Sequence, residues 1–565
     1  MGFEGLREQT VAAPRSWADA RARHQWRIPP DYNIAADCID RHQELRDKPA
    51  LYYEDDRGRR EVYSFGRMDE LSRRFANALR GLGIKPGDVV ALHLPQMPET
   101  ALAHLALYRL GAIALPISRL FAADGLRYRL KHSEARAILV EPENLAKVES
   151  VRAELPALRH VIAAGPAQAG ALSFDDLVAR ASDQFTMERG SVENPCVLLY
   201  TSGTAGEPKG VVHGSRFVAG YNGNDYAHNF FGPGDLYYSP ADWAWIGGLL
   251  VGLLGVWPHG VPVLAYKSSG RFDPELMLRL MDRYGVTLSL QTPTVIKQLR
   301  EVVAHPRQKF PGLKLRCVSC GSEPVSPELV RWMKDEVGSA FNQLYGQTEA
   351  MGFIGDCSAI EEPKLGPMGK AYPGHQVAVV SDEGVALPPG EVGQLAISRD
   401  DPVVTKGFWK NPEAMAERTI GRWFVTGDLV YCDDQGYLYY KGRADDVIKT
   451  SGYRVGPGEV EAKLIEHPAV AICAVVGVPE ERRGEAIKAF IKLRTGVEPS
   501  SGLAEEIRRF VKTRLAAHES PHEIEFVSEL PMTLTGKIKR KELRQREIER
   551  RSAPAKPEVG TSSKP

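Results

Sequence analysis

The segment that most restricts what this chain can become is Tyr200-Thr-Ser-Gly-Thr-Ala-Gly-Glu-Pro-Lys209, continued by Gly210-Val-Val-His213. An apolar run of strand character, Cys196-Val-Leu-Leu199, leads into it, and a β-branched pair follows it. Between them stand the hydroxyls of Thr201, Ser202 and Thr204, the glycines Gly203 and Gly206, and Lys209. A polyphosphate is held by such a set: backbone N–H groups able to turn inward, hydroxyl donors and a cation at the end. This is not a Walker A loop, because Gly-x-x-x-x-Gly-Lys-Ser/Thr is absent and the lysine follows Pro208. The proline also opposes a helix opening at the loop, so no helix-dipole contribution is expected. On composition alone, a Ser/Gly surface turn accounts for the segment equally well.

The flanking sequence sets the fold class. Leu71, Phe75, Leu79 and Leu82 recur at helical spacing and stop at Gly83, and a second helix is expected over Pro98–Leu110, closed by Gly111. Strand-like runs alternate with them at Val89–Leu94, Ala112–Pro116, Ala135–Val140 and His160–Ala163. That alternation predicts an α/β fold, a layered sheet with short helical crossovers. Gly260–Tyr266, Val286–Leu290 and Leu315–Ser319 read as further strands, each ending in a polar turn of the kind where open sheets gather ligands. Trp245–Trp257 carries four glycines and is too short to span a bilayer, so a buried helix is expected there.

Further motifs follow in order. Gly321-Ser-Glu323-Pro324 sits at a strand end, where an ordinary turn is the plain alternative. Tyr345-Gly346-Gln347-Thr348-Glu349 offers an aromatic face, a hydroxyl and a carboxylate, with a helix N-cap as its alternative. Trp423-Phe-Val-Thr-Gly-Asp428 and Gly442-Arg443 precede Asp445-Asp446, which could equally be a charged turn. Ser451-Gly452-Tyr-Arg454 comes next, and Pro531-Met-Thr-Leu-Thr-Gly-Lys537-Ile-Lys-Arg-Lys541 closes the series. Its basic residues by themselves suit a solvated charge run or a nucleic-acid patch.

Taken together, and over about residues 50–545, these motifs resemble the adenylate-forming superfamily of acyl-CoA synthetases, peptide-synthetase adenylation domains and beetle luciferases. The resemblance implies a large N-terminal layered α/β domain over residues 1–444 and a small mobile C-terminal α+β domain over 445–550. It implies ATP, Mg²⁺ and coenzyme A as the small molecules used, with a carboxylic acid activated to an acyl-adenylate and passed to a thiol. It assigns Thr201 to Lys209 to the phosphates, Gly321, Glu323 and Pro324 to the adenine side, and Tyr345 to stacking on adenine. Thr348 is implied at the α-phosphate, Glu349 at Mg²⁺, Asp428 at the ribose hydroxyls, Arg443 at the ribose or phosphate, and Gly346 and Gln347 within the nucleotide motif. Asp445 is implied as the hinge, Ser451, Gly452 and Arg454 at the thiol tunnel, and Lys537 as the lysine approaching the α-phosphate.

The resemblance also bears on the acid. Acetyl-specific members carry tryptophan at the position of Gly346, so a glycine there implies room for a medium-chain or branched fatty acid, with a benzoate-like aromatic acid next. Trp245 is the candidate pocket wall, with core packing as the alternative. A separate carrier protein could replace coenzyme A, although no carrier domain is visible after residue 545. A non-catalytic nucleotide binder is the reading from a different class. Against it stand Lys209, Glu349, Asp428, Arg443 and Lys537 together.

Composition narrows the setting. Lys+Arg and Asp+Glu both number 72 in 565 residues, which predicts no global attraction to nucleic acid. Seven cysteines, few and odd in number, predict a reduced cytoplasmic protein, and Cys317-Val-Ser-Cys320 is expected to be buried thiols rather than a metal or redox site. No apolar run predicts a transmembrane helix and the N-terminus carries no secretory pattern. From about residue 553 a disordered tail is expected (551–565 by the domain division). A homo-oligomer is left open.

Overall fold

Ser64 opens the first long helix, α1 (Phe65–Gly81), its side chain accepting from the Arg67 N–H. The helix therefore starts well before the Leu71 at which apolar spacing places it, because the cap satisfies an orphan donor without any apolar signal. The second, α2 (Pro98–Leu110), has the predicted bounds, with proline in its first turn and Gly111 at φ 69° beyond its last. Every residue of α2 is buried. Its one buried guanidinium, Arg109, is paired with Asp40 at 2.6 Å and Asp69 at 3.0 Å. A third helix, α3 (Ala123–Ser133), follows.

The structure, a computed structural model, describes residues 13–552 apart from 169, 189, 202–206, 324, 445, 451–452, 481, 516–518 and 533–537. Of Lys449, Tyr453, Arg454 and Glu459 it describes the backbone alone. Ser202, Gly203, Thr204, Gly206, Pro324, Asp445, Ser451, Gly452 and Lys537, together with the tail from residue 553, thus lie outside the described residues.

Two large sheets form the body. In the first, of eight strands, β1 (Pro195–Thr201) and β2 (Lys209–Gly214) make an antiparallel hairpin that pairs Thr201 with Lys209. From β1 it continues in parallel through Ile113–Pro116, Val89–His93, Ala137–Val140, His160–Ala163 and Leu172–Ser173, while Gly407–Phe408 edges β2. The second sheet has nine strands and a parallel centre that includes Leu288–Gln291, β3 (Cys317–Cys320) and β4 (Ala340–Gln347). The chain then turns at Thr348–Glu349 into antiparallel β5 (Ala350–Gly355). One core draws on both sheets and on α1 and α2: Phe75, Leu105, Ala114, Val197, Tyr237 and Leu344 all belong to it. This is the layered α/β arrangement that the alternation predicts.

Gly247–Leu254 is buried as expected, but it winds as a π-helix rather than an α-helix. Glycine makes the widened turn fit: a Cβ on Gly248 would lie 2.2 Å from the Asp242 carbonyl oxygen. Cys317 and Cys320 are buried free thiols in β3, and burial pushes the Cys317 pKa up to about 12. No helix among the described residues is long and apolar enough to cross a membrane.

A third sheet of five strands carries β6 (Trp423–Cys432) and antiparallel β7 (Leu438–Arg443), with Asp428 opposite Arg443. Beyond β7 the chain builds a smaller α+β unit from α4 (Pro457–Ile465), β8 (Val470–Glu480), β9 (Gly484–Leu493), β10 (Glu523–Phe526) and α5 (Arg540–Ser552). Its helix α5 is tied down by two ion clusters. Arg540 grips both carboxylate oxygens of Glu461 at 2.8 and 2.6 Å and lies 3.9 Å from Asp446. Lys488, almost wholly buried in β9, meets Glu525 at 2.7 Å and Glu547 at 2.9 Å. Just ahead of Arg540, a β-bridge joins Met532 to Ile538 across residues 533–537.

Candidate active site

Of the predicted residues that can be placed, Tyr345, Gln347, Thr348, Glu349, Asp428 and Arg443 come together with the β1–β2 hairpin where the two large sheets and the third sheet meet. The β1–β2 hairpin confirms the strand–loop–strand setting of the Thr201–Lys209 segment. The Lys209 ammonium lies 3.6 Å from Glu417 and 5.8 Å from the centre of the Phe408 ring.

The Tyr345–Glu349 motif forms the end of β4 and a turn, not a helix N-cap; Gln347 pairs with Ala350 across the hairpin. Two bonds tie that turn to neighbouring strands. His213, at the end of the β1–β2 hairpin, places Nε2 2.7 Å from the Thr348 carbonyl oxygen, and the Thr405 N–H donates to the Glu349 carbonyl at 2.7 Å. Burial holds the His213 pKa down to about 4, so the neutral ring donates from Nε2. One imidazole thus couples the loop hairpin to the Thr348–Glu349 turn. Nothing in the local sequence marks His213 for this contact, since its partner lies 135 residues away.

The Glu349 carboxylate is buried. Burial raises its pKa, Arg418 and Arg443 oppose that rise, and Asp428 adds to it. A buried carboxylate beside the β1–β2 hairpin is an oxygen donor of the kind a hard divalent cation takes, and two guanidinium groups flank it. Among the described residues no group of three or more His, Cys, Asp or Glu forms a closed metal cage.

Asp428 is the hub of the polar network. Its carboxylate accepts from the Tyr345 hydroxyl, from Gln347 Nε2 at 3.3 Å and from Arg443 Nη1 at 3.1 Å. The Tyr345 hydroxyl is raised well above its ordinary pKa by burial and by Asp428, so it stays a donor. Arg443 and Arg418 converge on Gly427, which has φ +76° and no side chain; a Cβ there would lie 2.6 Å from Arg418 Nη1 and 3.0 Å from Arg443 Nη2. Arg418 is a cation that no motif had marked. Its residue type is unremarkable in sequence, and only the fold brings it to Gly427.

Gly321 leaves β3 against β4. A Cβ there would lie 2.3 Å from the Leu344 carbonyl oxygen, one residue before Tyr345. Glu323 accepts from the Thr294 hydroxyl at 3.2 Å. Gly321→Ala is expected to lower stability by about 1–3 kcal/mol, the usual range for overpacking, because the obstacle is backbone rather than a movable side chain. A thermal unfolding midpoint equal to that of the parent protein would refute this.

Gly346 behaves differently from the expectation of open space at its wall. A Cβ there would stand 2.4 Å from Gly352 N and 2.9 Å from Met351 Cα and Sδ. The space a Cβ would take on Gly346 is occupied by the returning strand. Trp245 is half-buried with its ring 6.1 Å from Phe121, whereas Trp243 is fully in the core. Core packing therefore accounts for Trp243.

Comparison with known proteins gives the family. The chain matches the family model described as AMP-binding enzyme over residues 40–409 and that of the AMP-binding enzyme C-terminal domain over residues 459–537. It is 37% identical over 540 residues to acetyl-coenzyme A synthetase of Bacillus subtilis (strain 168), covering 94% of this chain and 93% of that one. It is 34% identical over 559 residues to the mitochondrial acyl-coenzyme A synthetase ACSM4 of Rattus norvegicus, covering 96% and 95%. Among solved structures, the anthranilate CoA ligase AuaEII in complex with anthranoyl-AMP superposes with a TM-score of 0.82 at 29% identity, covering 93% of this chain and 99% of that one. The chain belongs to the AMP-binding enzyme family, among its AMP-forming acyl-coenzyme A synthetases.

Proposed function

We propose that this protein joins a medium-chain or branched fatty acid to coenzyme A in two half-reactions, releasing AMP and pyrophosphate. The observation that carries the nucleotide site is the convergence of the phosphate hairpin, the Thr348–Glu349 turn and the Asp428–Arg443 pair, coupled through His213 and Tyr345.

In the first half-reaction the acid carboxylate attacks the α-phosphate of ATP, forming the acyl–phosphate bond as the bond to pyrophosphate breaks. Positioning and charge neutralisation do most of the catalytic work in such transfers. Thr201–Lys209 and Thr348 hold the phosphates, Tyr345 offers its ring to adenine, and Asp428 exchanges protein donors for ribose hydroxyls. Gly321 and Glu323 line the adenine side. Glu349 would hold Mg²⁺, which when bound neutralises phosphate charge. Lys537 supplies the last positive charge at the α-phosphate. In the second half-reaction the small domain, residues 445–550, turns about Asp445, withdraws Lys537 and brings the Ser451–Arg454 region to the thiol. The free buried cysteines support a cytoplasmic location.

With Met351 and Gly352 closing on Gly346, Trp245 is the remaining wall candidate for the acid, and the test is pyrophosphate release with acids of increasing length, each with and without coenzyme A. Every CH₂ buried should contribute about 0.8 kcal/mol, close to a fourfold gain in kcat/KM per carbon until the pocket is full. An optimum at acetate would overturn the chain-length reading while leaving the ligase intact. An aromatic acid is the second reading, favoured by the anthranilate ligase likeness, so benzoate and anthranilate belong in the same panel. Release indifferent to coenzyme A would point instead to a carrier-protein acceptor.

A further inference from the structure

The phosphate loop leaves the first sheet at Tyr200–Thr201 and returns at Pro208–Lys209, and one face of α3 meets both rims. The Tyr128 hydroxyl donates to the Pro208 carbonyl at 3.0 Å. One helical turn on, His132 Nδ1 lies 2.7 Å from the Tyr200 hydroxyl. Burial, and then Lys410, hold the His132 pKa below its usual value, so the neutral ring can accept the Tyr200 proton. The Tyr200 ring meets Tyr128 edge-on at 6.0 Å and His132 at 5.7 Å, and Tyr128 stacks on His132 at 5.5 Å. Beside them the buried Arg129 guanidinium stands 3.7 Å over Phe121 and 5.7 Å from the centre of Tyr200. Two residues four apart on a helix share a face. Here that face carries a polar contact to each side of a loop that comes some seventy residues later.

A loop that wraps a polyphosphate must bring backbone donors to one centre, and ordering it at the moment of binding subtracts from affinity. Rims that are already held reduce that loss. We propose that α3, through Tyr128 and His132, preorganises the rims of the phosphate loop and so sets the affinity for ATP in the adenylation step. This rests on the reading of Thr201–Lys209 as the phosphate site. Tyr128 and His132 are positioning residues: they act through Pro208 and Tyr200, not on the reacting atoms.

The test is ATP–pyrophosphate exchange by the full chain carrying Tyr128→Phe, His132→Ala, His132→Gln or Lys209→Ala, with thermal midpoints measured alongside. Tyr128→Phe and His132→Ala should each raise KM for ATP about five-fold, the effect of one neutral hydrogen bond, with kcat and KM for the acid held within about two-fold. His132→Gln, which keeps an acceptor, should restore most of the affinity. If Lys209→Ala raises KM for ATP but the α3 variants do not, the clamp is overturned and the loop reading survives. If Lys209→Ala also leaves KM for ATP unchanged, the loop is not the phosphate site and the proposal falls with it. A drop in thermal midpoint accompanied by equal losses in every kinetic parameter assigns α3 to folding and likewise overturns the clamp.

Discussion

Lys537→Ala is expected to reduce acyl-adenylate formation by about a thousandfold, the scale on which a mobile cation stabilises a phosphoryl-type transition state. The same variant, supplied with synthetic acyl-adenylate and coenzyme A, should make thioester at close to the parent rate. The asymmetry follows from where the charge is needed. Negative charge accumulates at the α-phosphate as the carboxylate adds and pyrophosphate departs, whereas the thiol attacks the acyl carbon and expels AMP by cleavage of the acyl C–O bond, with no bond made or broken at phosphorus. Single-turnover assays of the two half-reactions separate the effects. Equal loss in both would mean that Lys537 supports the fold of the small unit or the binding of all substrates, and the assignment would fail.

The second large effect should come from Glu349→Gln. The replacement keeps the shape and removes the charge. Glu349 is buried and shares its surroundings with Asp428, Arg418 and Arg443, so the loss is not absorbed by solvent. Adenylation is expected to fall about a hundredfold, comparable to removing one preorganised electrostatic partner at a transition state. A rise in the Mg²⁺ concentration needed for half-maximal rate would accompany it if the carboxylate holds the ion. Activity close to that of the parent at ordinary Mg²⁺ would remove Glu349 from the ion's coordination sphere.

Local signals in the sequence proved readable where the chemistry is local. The bounds of α2 follow from a proline at one end and a glycine at φ 69° at the other, and both are visible in a single turn of sequence. The β1–β2 hairpin is readable for the same reason, since an apolar strand-like run and a β-branched pair flank a Gly- and Pro-bearing loop. What escaped is set by distance in the chain. Tyr345–Glu349 suits a helix start as well as a strand turn until β5 pairs with β4. His213, Arg418 and the α3 residues acquire meaning only through partners that the sheet order brings near. The widened winding of Gly247–Leu254 is likewise invisible to periodicity, because every residue in it is apolar or glycine and no polar face marks the phase. Gly346 shows a subtler limit: an absent side chain says nothing about which neighbour fills the gap, and here Met351 and Gly352 do.

The Met532–Ile538 bridge and the Arg540–Glu461 pair fasten the chain at two neighbouring points of the small α+β unit. Ile538 and Arg540 are only two residues apart, so no more than about 7 Å of extended chain separates the two fastenings. Neither point can shift far without the other. Helix α5, which begins at Arg540, is thereby yoked to helix α4, which carries Glu461, and a force applied to one is passed to the other through a guanidinium rather than through the core.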